Sequence, residues 1–241
     1  MQLKTLVVIP TYNEADNIVS LISEIRRTCP QVHILVVDDG SPDGTAALVE
    51  KLGTQYPEEI NCLKRQSKQG LGRAYIAGFG WGLENGYDVF VEMDADFSHR
   101  PQDLPKVLQA IERNDFVVGS RWIKGGSTLN WSLWRKVVSI GGSIYARLIL
   151  GYPFYDWTGG FNAWRADVLR RVGLGKIESE GYSFQIELKY RSSFCGFKGV
   201  EVPIAFDERR EGQSKMSSQI VWEALYFVWR MRLKSFCQKA G

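Results

Sequence analysis

Residues 5–45 read TLVVIPTYNEADNIVSLISEIRRTCPQVHILVVDDGSPDGT. Thr5–Ile9 is an apolar, β-branched run, the pattern of a strand buried on both faces. Glu14–Thr28 follows, with Ile18, Leu21, Ile22 and Ile25 at helical spacing. His33–Val37 is a second apolar run, and a second helix opens at Gly44 and runs to Leu52, with Asp43 or Ser41 as its cap. Strand, helix, strand, helix at this spacing is the unit of a parallel sheet covered by helices.

The alternation continues outward. Asn61–Lys64, Asp88–Met93 and Asp115–Gly119 read as strands, Leu71–Glu84 as a helix broken by glycines, and Pro101–Arg113 as a helix opening on proline. Trp131–Leu150 reads as a helix with a polar stripe at Arg135, Ser139, Ser143 and Arg147, and Val137, Ile140, Ile144 and Leu148 on another face. A glycine turn at Thr158-Gly159-Gly160, a helix near Ser183–Tyr190, an extended segment Gly199–Phe206, a basic stretch Asp207–Lys215 and a last helix Gln219–Phe236 complete the chain. The expected architecture is α/β, a Rossmann-like, mostly parallel sheet flanked by helices. One domain is expected over residues 1–216, with a C-terminal amphipathic helix in 217–241.

Composition narrows the function. The 241 residues include 8 Trp, 10 Tyr and 12 Phe, which need burial and exclude a disordered chain. A net charge of +3 is too mild to imply nucleic acid. Cys29, Cys62, Cys195 and Cys237 form no CxxC pair, so free thiols in a reducing compartment are expected rather than zinc or disulfides. Leu6–Ile9 is too short for the core of a signal peptide, and no window reaches the ~20 apolar residues that span a bilayer. Gly70-Leu71-Gly72-Arg73-Ala74-Tyr75 begins like a dinucleotide fingerprint, but Tyr75 fills the third glycine position and the stretch does not follow the first strand.

Ligands of such sheets sit beyond the carboxyl ends of the strands. Asp94-Ala95-Asp96 follows the fourth strand, and two carboxylates one residue apart suit one hard divalent cation, Mg²⁺ or Mn²⁺. Two solvated turn aspartates are the plainer alternative. Asp38-Asp39-Gly40-Ser41-Pro42-Asp43-Gly44-Thr45 follows the second strand; turn chemistry explains the glycines, Pro42 and Asp43, but not why Asp38 and Asp39 both stand there. One of the two can accept from a ribose or base. Tyr12 can face a nucleobase, and Glu14 can cap the helix it begins. A metal beside carboxylates suits a diphosphate leaving group, for which Arg121, Arg209 and Lys215 are candidate cations.

VVIPTYNE, VVDDGSPDGT, GLGRAY, VEMDADFSH, VGSRW, TGGFNAWR, GYSFQIE and the Arg209-x5-Lys215 spacing occur in order across residues 5–216. Together they resemble the family-2 glycosyltransferases of the GT-A fold, and within them the dolichyl- or polyprenyl-phosphate mannose synthases. The resemblance implies that Pro10, Tyr12, Glu14, Val37 and Asp39 hold the nucleoside of a nucleotide sugar. It implies that Asp94 and Asp96 bind Mg²⁺ or Mn²⁺ with the diphosphate, Ala95 lying against the nucleotide. Arg121, Arg209 and Lys215 contact phosphates and, with Asp96, form the catalytic set. Some relatives carry Gln as a further metal ligand two residues after the second Asp; Ser98, a weaker neutral oxygen, stands there.

The implied reaction moves mannose from GDP-mannose to a polyprenyl phosphate, with inversion. A phosphate monoester, with a second pKa of about 6, attacks as an anion and needs no general base. Arg135 and Arg147 either guide this acceptor phosphate or belong to a solvated helix face. A UDP donor of glucose or N-acetylhexosamine stays open. So does a hydroxyl acceptor, with Asp156, Glu180 or Glu187 as base. A non-catalytic nucleotide-binding module is the reading from another class. A long apolar acceptor requires a membrane. Ile220–Phe236 offers Val221, Ala224, Leu225 and Val228 on one face, aromatic Trp222, Tyr226, Phe227 and Trp229, then Arg230, Arg232 and Lys234. It either lies in the interface or docks on the core. The expected location is peripheral, at the cytoplasmic face of a membrane. Related enzymes without spanning helices of their own depend on a small membrane subunit, which the resemblance makes a candidate partner.

Overall fold

The computed structural model describes residues 3–179, 181–207 and 226–234. Seven strands form one sheet: β1 (Thr5–Thr11), β2 (His33–Asp38), β3 (Ile60–Lys64), β4 (Val89–Glu92), β5 (Phe116–Ser120), β7 (Asn162–Arg165) and β8 (Gly199–Pro203). Their order is β3-β2-β1-β4-β7-β5-β8. The strands run parallel except β7, which is antiparallel to both β4 and β5. β6 (Ser127–Thr128) and β9 (Ala205–Phe206) make a separate parallel pair.

The sheet is covered on both faces, as its apolar runs require. Val7 and Ile9 point to one layer, where α1 (Ala15–Thr28), α2 (Thr45–Gln55) and α4 (Leu104–Ile111) supply Ile18, Leu21, Ile22, Ile25, Val49 and Val107. Leu6 and Val8 point to the other, where α3 (Leu71–Glu84), α6 (Ala166–Val172) and α7 (Gly181–Phe194) supply Phe79, Leu169 and Phe184. Each fully buried Ile or Leu contributes about 1.5–3 kcal/mol of transfer free energy.

The expected strands and helices of the first half form, with ends shifted by a few residues. The helix expected over Pro101–Arg113 opens as a 3₁₀ turn, Pro101–Asp103, and becomes α4. α3 is not broken. A Cβ at Gly78 would come within 2.5 Å of Val8, and one at Gly82 within 2.4 Å of Phe90, so these glycines let the helix lie close on the sheet. β7 and α6 are among the elements that escaped the sequence reading, as is the short β6. β7 has no β-branched residue and follows two glycines; it is a strand because the slot between β4 and β5 supplies both ladders. α6 leaves it at once.

α5 (Leu133–Leu150) forms as expected, with Ser132 accepting from the Arg135 N–H as its cap, but it is turned the other way. Ser139, Ser143, Ala146 and Leu150 are buried, while Leu133 (80% exposed), Trp134 (75%), Val137, Ile140, Ile144 and Leu148 (77%) face outward. The hydroxyl stripe is therefore not a solvated face. Gly141 and Gly142 neither break the helix nor mark a close approach, since a Cβ at either meets nothing within 4 Å. The described part of the last helix, 226–234, buries Val228 and Met231 and exposes Tyr226, Trp229 and Leu233. Arg230 and Lys234 pair with Glu178 at 2.7 and 2.8 Å. Among the described residues no helix is long and apolar enough to cross a membrane. The expected boundary at 216/217 lies outside the described residues.

Candidate active site

The parallel strands end at one edge, and the turns beyond them carry the expected site. Where β1 and β2 end side by side, Thr11 opposite Asp38, the two aspartates divide the work. Asp38 is structural. It accepts from the Thr11 hydroxyl (2.9 Å) and from the Ser41 N–H (2.9 Å) and hydroxyl (2.5 Å), tying the turn to β1. Asp39 is buried and pairs with Arg65 at 2.8 Å. Burial pushes the Asp39 carboxyl above its ordinary range against the opposing charge of Arg65. Arg65 also donates to Gln69 (2.9 Å), and Lys68 lies over the Tyr12 ring at 4.1 Å. Tyr12 is exposed, as a stacking surface must be.

Two of the expected nucleoside residues take other positions. The Val37 side chain is wholly buried against α3, so only its backbone can meet a ligand. Glu14 precedes α1 without capping it; its carboxylate accepts from Asn17 at 3.0 Å. The cap arrives from the next turn. Asp43 accepts from the Ala15 N–H (3.0 Å) and from the Thr45 N–H and hydroxyl (3.0 and 2.6 Å). Burial would raise the Asp43 carboxyl, but these hydrogen bonds hold it below its ordinary range. Pro10 is the half-buried penultimate residue of β1.

Asp94, Ala95 and Asp96 follow β4. The Asp94 N–H donates to His99 Nδ1 at 2.9 Å. That acceptor role leaves the proton on Nε2, which stands 3.9 Å from Asp94 Oδ2. The ring stacks on Phe161, and Tyr75, fully buried, donates its hydroxyl to Asp94 Oδ1 at 3.3 Å. His99 thus holds the loop and offers no lone pair to a metal. Asp96 accepts from the Ser98 N–H at 3.0 Å. The Ser98 hydroxyl is buried beside it with no hydrogen-bond partner among the described residues. Two carboxylates and one uncommitted neutral oxygen fit a hard divalent cation whose shell is completed by substrate phosphate and water. Among the described residues no group of three or more His, Cys, Asp and Glu could hold a metal by itself.

Arg121 follows β5 and is almost entirely committed. Its Nε and Nη2 donate to the two oxygens of Asp156 at 2.7 Å each, its backbone N–H to Asp156 at 3.0 Å, and Nη2 also to Thr158 at 2.9 Å. Its Cζ lies 5.4 Å from the ring of Trp122 and 5.3 Å from those of Trp131 and Phe206. Nη1 is the arm with no hydrogen bond to a described residue. Asp156 is wholly buried and also accepts from the Gly159 N–H. Burial would raise its carboxyl, but the Arg121 charge and hydrogen bonds together with the Lys189 charge hold it below its ordinary range.

The loop carrying Asp156 is held from three sides. Glu201 of β8 accepts from the Tyr155 and Asp156 N–H groups at 2.9 Å each. The α5 hydroxyls face it, Ser143 accepting from the Trp157 N–H and Ser139 3.3 Å from the Thr158 hydroxyl. From α7, the buried Lys189 ammonium donates to the carbonyls of Asp156, Trp157 and Gly159. Beneath it Asn162 links Glu92 of β4 (2.7 Å) to Gln185 of α7 (2.8 Å). Burial pushes the Glu92 carboxyl up and the Lys189 ammonium down, both toward about 8.

Arg135 and Arg147 are separated. Arg135 lies over the Trp131 ring at 3.8 Å and so joins the surroundings of Arg121. Arg147 lies over Tyr155 at 4.2 Å, twelve residues or about 18 Å further along the helix, and the two cannot hold one phosphate. Of the carboxylates considered as a base, Asp156 is saturated. Glu187 is buried and accepts from Glu178, Ser179 and Arg191. Glu180, Arg209 and Lys215 lie outside the described residues. The sequence reading missed His99, Thr158, Lys189, Glu201 and the aromatic enclosure of Arg121. Gln185, Glu187 and Arg191 flank Lys189 in α7, so no local pattern sets the lysine apart, and the rest are long-range contacts.

The chain resembles proteins of known name over nearly its whole length. It is 48% identical to the polyprenol monophosphomannose synthase of Mycolicibacterium smegmatis, over 95% of this chain and 88% of that one. It is 48% identical to the undecaprenyl-phosphate mannosyltransferase of Micrococcus luteus, over 96% and 95%. Among solved structures, glucosyl-3-phosphoglycerate synthase from Mycobacterium tuberculosis, in complex with Mn²⁺, UDP-glucose and phosphoglyceric acid, shares the fold. The TM-score is 0.68 at 17% identity, over 95% of this chain and 79% of that one. The model of Glycosyl transferase family 2 matches residues 6–173, and the chain belongs to that family.

Proposed function

We propose that this protein transfers mannose from GDP-mannose, with inversion, to the phosphate of a polyprenyl phosphate at a membrane surface. The carrying observation is the orientation of α5. Its apolar residues face outward while its Ser139 and Ser143 hydroxyls meet the loop that clamps Arg121. One helix thus offers a lipid-facing surface and helps fix a cation suited to phosphate. The names of the two relatives at 48% identity support mannose as the sugar and a prenyl phosphate as the acceptor.

In this reading Tyr12 stacks on the base, Asp39 accepts from the nucleoside, and the Val37 backbone and Pro10 line its floor. Asp94 and Asp96, with the Ser98 hydroxyl, are the residues that would hold Mg²⁺ or Mn²⁺. Bound there, the cation neutralises charge developing on the diphosphate as it leaves. Arg121 Nη1 and Arg135 draw the acceptor phosphate toward the anomeric carbon, with Arg209 and Lys215 assigned to the donor phosphates. The acceptor is already an anion, and the saturation of Asp156 and Glu187 fits a transfer without a general base. The exposed face of α5, with Tyr226, Trp229 and Leu233, rests on the bilayer at its cytoplasmic side. A small membrane subunit would occupy the same face.

A donor–acceptor matrix on the purified protein tests this. It offers GDP-mannose, UDP-glucose and UDP-N-acetylglucosamine, each with polyprenyl phosphate or free polyprenol, with Mg²⁺ or EDTA, in detergent and on vesicles. Transfer from GDP-mannose to the phosphate alone, lost in EDTA, is the expected result. Transfer from a UDP sugar replaces the donor. Transfer to the free alcohol overturns the acceptor. Binding to protein-free anionic vesicles separates a bilayer from a protein subunit as the occupant of the α5 face.

A further inference from the structure

Lys189 is completely buried, and a buried ammonium is costly unless its surroundings repay it. Three carbonyls do so, those of Asp156 at 3.1 Å, Trp157 at 3.2 Å and Gly159 at 2.8 Å. They turn inward because the same short loop must aim its side chains at Arg121. Asp156 grips the guanidinium at Nε and Nη2, and Thr158 accepts from Nη2. A loop that presents side chains on one side presents backbone oxygens on the other, and buried carbonyls without donors are not tolerated. Its N–H groups are supplied by Glu201 and Ser143 from other elements. Lys189 is thus the cation behind the loop, as Arg121 is the cation before it.

We propose that Lys189 is a positioning residue for the transfer, holding the 156–159 loop so that Asp156 and Thr158 fix Arg121 and direct Nη1, which bonds no described residue, to phosphate. This rests on the reading above in which Arg121 meets the acceptor. The charge matters as well as the hydrogen bonds. Arg121 and Asp156 pair at 2.7 Å, and the Lys189 ammonium stands behind them on the Asp156 carbonyl at 3.1 Å. Methionine at 189 removes that donor from the Asp156 and Trp157 carbonyls, while the Gly159 carbonyl keeps the Asn162 amide at 3.1 Å.

The test is a mutant cycle on the full chain, with Lys189→Met, Lys189→Gln, Arg121→Met and the double variant Arg121→Met/Lys189→Met. Folding is checked by circular dichroism and urea unfolding. Transfer is read as kcat/KM for polyprenyl phosphate, and GDP affinity is measured with Mn²⁺ present. Lys189→Met is expected to lower kcat/KM by at least about 10-fold while GDP affinity stays within about 2-fold, since Lys189 donates to carbonyls of the 156–159 loop. Lys189→Gln keeps two donors without the charge and is expected to fall between. In the Arg121→Met background, Lys189→Met should cost less than about 2-fold more, because the group it positions is gone. A folded Lys189→Met with unchanged transfer overturns the proposal and leaves the Arg121 reading standing. So do multiplicative losses, or GDP affinity falling in step with transfer. Failure of both Lys189 variants to fold reduces Lys189 to a stability role and also overturns it. Full transfer by Arg121→Met overturns the Arg121 reading and this proposal together.

Discussion

α1 and α5 are both amphipathic helices, and they face opposite ways. α1 buries Ile18, Leu21, Ile22 and Ile25 and turns Asp16 and Arg27 to water. α5 buries Ser139, Ser143 and Ala146 and turns Leu133, Val137, Ile144 and Leu148 outward. Periodicity identifies an apolar face in each but not which phase that face meets. The reversal divides the site. At the donor edge, carboxylates stand directly after parallel strands; near neighbours hold part of each turn, Ser41 on Asp38 and His99 on the Asp94 N–H, while Thr11, Arg65 and Tyr75 reach Asp38, Asp39 and Asp94 from neighbouring elements. At the acceptor side, Arg121 is fixed by groups from α5, the 156–159 loop, β8 and α7, 35 residues away along the chain in the case of Asp156.

The two halves should fail differently. Asp96→Asn removes a donor-edge ligand; transfer should fall by about 1,000-fold or more, with Mn²⁺-dependent GDP binding lost and the urea midpoint nearly unchanged. Metal-dependent binding retained by that variant would dissolve the distinction at its strongest point. The helices themselves offer a matched pair. Ile18→Ala should cost about 2–5 kcal/mol of unfolding free energy, whereas Ile144→Ala should stay within about 0.5 kcal/mol. Ile144→Asp should weaken vesicle binding by about 10-fold and leave transfer to a short-chain phosphate in detergent intact. A large stability loss at Ile144 would mean that its face is covered by protein.

The buried Glu92 carboxyl behind the acceptor loop gives an effect that grows with pH. Burial raises the Glu92 carboxyl toward about 8, so its contribution to stability is full below the ordinary carboxylate range and is lost as pH rises through 8. Glu92→Gln stays neutral and can still accept from Asn162. It should gain at least about 1 kcal/mol on the parent protein between pH 5 and pH 7.5, measured by urea unfolding at both. A constant difference across that range would mean that Glu92 is ionised throughout, paired with Lys189.

The sequence carries more of the donor edge than of the acceptor side. Thr5–Ile9 and His33–Val37 announce buried parallel strands, and the turns after them must lie at one edge, so Asp39 and Asp94-Ala95-Asp96 were legible before any contact was known. Two neighbouring motifs misled at close range. Glu14 looks like a cap, but Asp43 reaches across from the next turn and takes that role. Val37 is part of a motif, yet its side chain is core.

What the sequence determined by itself is local: the period of each run, the turns that end them and the carboxylates those turns present, because strand alternation and turn chemistry act within a few residues. What the tertiary structure decided is long-range. It made a strand of Asn162–Arg165 by offering ladders on both sides. It tied Arg121 to Asp156 and Asp156 to Lys189, and it turned α5 so that hydroxyls face inward. A hydrogen bond between distant residues depends on the path of the chain between them, and the outward side of a helix depends on what else competes to cover it. Neither is written in the spacing of neighbouring residues.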